Sequence, residues 1–192
     1  MNQSVLKFFV LLLIFPSLAF AHIGVGETTG LMHGFGHPIG GVDHMLAMIA
    51  VGLWAIQIGG RALWVVPCTF VGVMVLGGVL GFTGLPVPFV EAGILVSILI
   101  LGMLIAGAFK VPLVYSSLIV GLFAIFHGHA HGAEMPESIS AVSYAVGFAL
   151  ATAMLHMAGL GLGALMQKTH LHTVSRFAGG AIALSGVYLA IA

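Results

Sequence analysis

ALWVVPCTFVGVMVLGGVLGF, residues 62–82, runs from Arg61 to Thr83 without one charged side chain. A helix needs about 20 apolar residues to cross roughly 30 Å of hydrocarbon, and this stretch supplies them. The apolar residues are continuous rather than alternating, which fits a membrane helix and not a strand of a barrel. Working outward, similar runs cover 38–58, 87–109, 111–126, 140–166 and 174–192. The expected fold is therefore an all-α, polytopic bundle of six transmembrane helices. The fourth run is short unless its helix continues into the histidine-rich segment that follows. Composition agrees: 60% of the chain is hydrophobic, 5% is charged, and mean hydropathy is +1.22. Soluble domains carry roughly 25% charged residues, so lipid is the solvent that suits this surface.

The first residues read as a secretory signal. Lys7 supplies the positive region, residues 8–15 the apolar core, and Ala19-Phe20-Ala21 a small-residue cleavage site. The expected division is a signal peptide over 1–21 and one six-helix domain over 22–192. Cleavage would place the mature N-terminus, His22, outside. Six crossings then bring the connections with Arg61, Lys110, Lys168 and Arg176 inside, and return the C-terminus outside. The outer connections, 83–86 and 127–139, hold no Lys or Arg, as the positive-inside rule requires. The expected location is the bacterial inner membrane.

Several functions are disfavoured. Net charge is zero with neutral histidines, so nothing draws the chain to nucleic acid. The single cysteine, Cys68, excludes an internal disulfide and any paired-cysteine site. No GxxxxGK[ST] loop for nucleotide phosphates is present, nor HExxH or GxSG. What stands out is 10 histidines among only five basic and five acidic residues. Imidazole is costly in lipid and usually marks function there.

The histidines gather twice. His33-Gly-Phe-Gly-His37-Pro38-Ile-Gly40-Gly41-Val-Asp43-His44 opens the first span. Proline is tolerated in a first turn, so His37 is expected near the helix start, with Asp43 and His44 about two turns deeper. Along a straight helix His37 and His44 stand about 10 Å apart, too far to share an ion unless the helix bends or other segments close the site. Asp43 is either a ligand or an acceptor that orients an imidazole; the competing reading is an Asp–His pair that pins two helices.

The second group is Phe126-His127-Gly128-His129-Ala130-His131-Gly132-Ala133-Glu134. In a helix, His127 and His131 are i,i+4 neighbours with Glu134 on the same side. In an extended segment, His127, His129 and His131 share one face. Imidazole with carboxylate suits nickel, cobalt, zinc or copper. His156, within the fifth run, either relays an ion or bonds a neighbouring helix. Glu91 reads first as an interfacial carboxylate. His22 and His33 are weaker additions to the ligand set.

HPIGGVDHMLAM (37–48) together with FHGHAHGAEMP (126–136) resembles the HupE/UreJ family of hydrogenase and urease accessory proteins. The resemblance extends along the whole chain in length, signal and number of spans. It implies a nickel permease, with cobalt as the second choice, that supplies metalloenzyme maturation. No permanently bound cofactor is implied; the metal is cargo. The implied partners are the bilayer, the ion and, indirectly, hydrogenase or urease maturation proteins. It matches His37, Asp43 and His44 to the first motif and His127, His131 and Glu134 to the second, with His129 at a variable position. Two other readings stand beside it: an intramembrane metal-dependent hydrolase using Asp43 or Glu134 as base, and a metal sensor or chaperone subunit.

Mass spectrometry of the chain from its native host is expected to find His22 as the first residue. An intact Met1 contradicts the signal reading.

Overall fold

The computed structural model describes residues 30–191 apart from residue 137, so the expected signal peptide and His22 lie outside the described residues. Every regular element in it is a helix: α1 (Gly30–Gly40), α2 (Val42–Ile58), α3 (Ala62–Phe82), α4 (Val90–Ala106), α5 (Leu113–Ala133), α6 (Ala141–Lys168) and α7 (His172–Ile191). By length and composition, α3, α5, α6 and α7 can each cross a membrane, and α1 with α2 passes the same test as one broken span. At 17 residues α4 is shorter. Val87 lies between Pro86 and Pro88, and a residue before proline is driven out of the helical region. That delays the start of α4 to Val90.

The first span departs from expectation. It is not one helix opening at Pro38 but two, bent by 83° at Gly41. Pro38 lies in the last turns of α1 and is buried. The helix extends back to Gly30 because its glycine face packs on α6: a methyl group at Gly34 would overlap the Tyr144 carbonyl. Pro38 has no N–H to continue the ladder, and Gly41 is extended at φ −94°, ψ 119°. The new helix start is closed by Asp43, whose Oδ1 accepts the His44 backbone N–H at 2.8 Å. A carboxylate in a first turn also answers the positive end of the helix dipole.

The histidine-rich segment after residue 126 is not a loop. It continues α5 to Ala133, so the helical spacing of His127 and His131 is the one realised.

Glycines set how closely the helices approach. α1 meets the first half of α6, and α2 the second half, where Gly52 lies against the His156 carbonyl and Gly159 against Ile49. α3 and α5 interlock through Gly77, Gly81, Gly128 and Gly132, and α4 and α7 through Gly102, Gly179 and Gly186. Small residues let backbones touch, which is how helices associate when lipid is as apolar as their side chains. The core they enclose includes Met48, Trp54, Val66, Phe70, Met74, Ile98, Leu101 and Ile105. Outward, Trp64, Leu76, Leu118, Met154, Phe177 and Leu184 are exposed, an apolar surface that calls for lipid.

The two ends differ. One carries Asp43, Glu91 and Glu134 around a cavity with His37 and His44. The other has a smaller cavity lined by Gln57, Lys110, His172, Ser175 and Arg176. There Trp54 Nε1 donates to the Phe109 carbonyl at 3.0 Å and Arg176 Nε to the Ala106 carbonyl at 2.7 Å, tying the α2 and α7 ends to the α4–α5 connection.

Gly147→Ala is expected to lower the melting temperature in detergent, because its methyl would overlap the Leu31 carbonyl. Gly161→Ala, on the same helix with open space around it, should be neutral or gain up to about 1 kcal/mol in helix propensity. Equal effects of the two contradict the packing account.

Candidate metal centre

Helices α1, α2, α4 and α5 and the break at Gly41 build the site. The bend at Gly41 turns the last turn of α1 and the first turn of α2 toward the C-terminal turns of α5. His37 and His44 therefore both reach His131, with ring centroids 4.6 and 4.2 Å from it. His44 also lies 4.8 Å from His127. His131 stands between the His37 and His44 rings, in contact with both.

At the mouth, His37 Nε2 donates to Glu134 Oε2 at 2.9 Å. His37, His131 and Glu134 each offer one ligand atom, all within 4.8 Å of one another. Ligands about 2 Å from an ion lie at most about 4 Å apart, so closing by roughly 1 Å would let the three share one. His37 and Glu134 open onto a cavity of about 390 Å³ lined also by Asp43, His44 and Glu91, among others. Its lining holds three carboxylates and no Lys or Arg, a field that concentrates cations.

Deeper in, hydrogen bonds fix which imidazole nitrogen is bare. The Asp43 carboxylate can only accept, so His44 Nδ1 carries the proton across their 2.8 Å contact. That leaves His44 Nε2 as a lone pair, buried and without a partner. Ser97 Oγ donates to the Ile94 carbonyl at 2.6 Å, so toward His127 Nε2, 2.9 Å away, it can only accept. His127 Nδ1 is then the bare nitrogen, again buried and unpaired. Both nitrogens of His131 are buried and unpaired, with its ring against Phe148 at 3.9 Å. A buried polar atom without a partner costs about 1–3 kcal/mol. Bare nitrogens thus lie on neighbouring rings, and a carboxylate and a hydroxyl that accept the other N–H are partners of the kind that orient metal-binding imidazoles.

Of the other sequence-predicted residues, His129 is not brought to this cluster. Two positions from both His127 and His131, it faces the other side of α5, where its Nε2 donates to the Leu85 carbonyl at 2.9 Å. His33 lies one turn before His37 and is exposed. His156 is buried deeper in the bundle, its Nδ1 donating to the Met48 carbonyl at 2.8 Å. Two groups that sequence reasoning undervalued or missed do reach the site. Glu91, expected at the lipid interface, lines the cavity. Ser97 orients His127; the available signal was a lone hydroxyl in an otherwise apolar run after Glu91. Tyr144, whose buried hydroxyl has no partner, stands with its ring 6.2 Å from His37.

Residues 10–189 match the family model described as HupE / UreJ protein. Protein HupE of Rhizobium leguminosarum bv. viciae is 45% identical over 179 residues, covering 93% of each chain. No solved structure matches. With nearly the whole chain covered by the family model and by a relative of this identity, the chain belongs to the HupE/UreJ family of multi-pass membrane proteins accessory to hydrogenase and urease.

Proposed function

We propose that this chain is a permease that admits a divalent transition-metal ion, nickel first and cobalt second, across the bacterial inner membrane to supply hydrogenase or urease maturation. The observation that carries the reading is the file of bare, buried imidazole nitrogens behind a carboxylate-lined mouth. A hydrolase needs one open ion beside a substrate pocket. Successive imidazoles leading inward from a charged mouth are what a moving ion needs.

In this reading Asp43, Glu91 and Glu134 draw the ion in, and His37, His131 and Glu134 replace part of its water shell. His44 and His127 take it next, each held in its ligating tautomer by Asp43 or Ser97. The ion is cargo and nothing in the cycle requires it to stay.

The topology proposed with it is six crossings, with the mouth outside and the basic end inside. α4 is short for a crossing, but helix directions support the count. The glycine contacts run α2 alongside α6 and α3 alongside α5 in the same sense, and α4 against α7 in the opposite sense. Strict alternation through the bundle produces that pattern. An inward dication gains about 4.6 kcal/mol per 100 mV of membrane potential, twice the single-charge value, so uptake needs no nucleotide.

The test is uptake into proteoliposomes with divalent metals in competition. Asp43→Asn keeps an acceptor for the His44 N–H groups, removes the negative charge and puts an amide NH2 in place of the second oxygen. Uptake at low nickel should fall by about tenfold or more at unchanged membrane insertion. Near-normal uptake would assign Asp43 to closing the α2 helix start alone. Ser97→Ala frees the His127 tautomer and should weaken apparent nickel affinity by about 10- to 100-fold. An unchanged affinity contradicts its orienting role.

A further inference from the structure

His156 is the polar group the site above does not use. Its side chain is buried, with the residue 1% exposed near the middle of α6. Its Nδ1–H is committed to the Met48 carbonyl at 2.8 Å. Its Nε2 is therefore a lone pair, buried and unpaired, the same electronic state as His44 Nε2 and His127 Nδ1.

A histidine here could serve only to join α2 to α6. The local packing argues otherwise. Gly52 already puts the α2 backbone against the His156 carbonyl and Leu160, and Gly159 lies against the Ile49 carbonyl. The helices are closed by backbone contact, without a side-chain tie. As a tie alone, His156 would leave Nε2 orphaned at about 1–3 kcal/mol. An apolar side chain would avoid that cost.

Its position continues the file. The Phe70 ring lies 5.6 Å from the His127 ring and 5.2 Å from the His156 ring, so the two imidazoles are separated by no more than those two steps together. The surroundings are soft: Thr152, one turn away on α6, donates to the Met74 thioether at 3.6 Å. Beyond His156 toward the basic end, the core is Val51, Trp54, Val66, Leu101 and Ile105. Gln57 is nine residues past Met48, about 13 Å farther along α2.

We infer that His156 Nε2 is a second, deeper ion-holding station, distinct from the mouth site, where a divalent metal leaving His127 is held partway across the bundle. The inference rests on the permease reading and adds to it a separate place of rest.

The experiment pairs nickel binding with uptake, using the full chain. His156→Asn keeps an N–H near the Nδ1 position for the Met48 carbonyl and removes the Nε2 lone pair. Equilibrium dialysis of nickel(II) against the purified chain in detergent should find one equivalent fewer than in the parent, with mouth-site affinity unchanged. Proteoliposome uptake should drop about tenfold or more. His156→Gln, which fills the Nε2 position with an amide, should lose the same equivalent and the same uptake. If neither variant inserts, NMR of isotope-labelled histidine in the parent decides: the His156 Nε2 signal should broaden as the second equivalent of nickel is added. Parent-like stoichiometry and uptake in an inserted variant, or an Nε2 signal that nickel leaves untouched, overturns the station. Absence of nickel binding and uptake by the parent overturns the permease reading instead.

Discussion

The arrangement depends on the break at Gly41. A continuous helix would point His37 and His44 to places about 10 Å apart. The 83° bend brings both rings onto His131. The bend exposes backbone N–H groups inside an apolar bundle, where an unsatisfied donor is expensive. Asp43 answers one of them with the same oxygen that fixes His44. One carboxylate thus closes the new helix start, sets an imidazole tautomer and adds negative charge beside the bare nitrogens. Structure and chemistry are coupled at a single side chain.

Rigidity around the break comes from backbone contact. Where α3 meets α5, glycines at 77, 81, 128 and 132 leave no room for a methyl group. His127 and His131 are carried on that face-to-face pair, so their rings are positioned by helix packing and not by a loop. The same device joins α2 to α6 beside His156. A site assembled from locked helices holds its donor nitrogens ready, at the cost of leaving them unpaired until something binds.

Much of this was legible in the sequence. The apolar runs over 62–82 and 140–166 match α3 and most of α6 because continuous apolarity and end signals agreed there. The two histidine motifs were visible as residues that lipid would not tolerate without a role. The break was not legible, because Pro38 and Gly41 read equally well as a helix beginning. What decided it was α6, whose backbone packs on Gly34 and extends α1 backward. His129 was ambiguous for a related reason: glycines at 128 and 132 permit an extended segment, whereas α5 packs against α3 as a helix, which turns His129 away. Glu91 and Ser97 depend on how α4 is rotated. Its apolar residues cover all sides, so the pattern carries no record of which side faces the cavity.

X-ray absorption at the nickel edge, on the purified chain loaded with one equivalent, tests the central claim most directly. The account predicts a first shell of nitrogen and oxygen at about 2 Å, with the outer scattering of at least two imidazoles. That imidazole pattern should be reduced in His131→Ala. A shell of water and carboxylate alone, or one unchanged by that substitution, would contradict it.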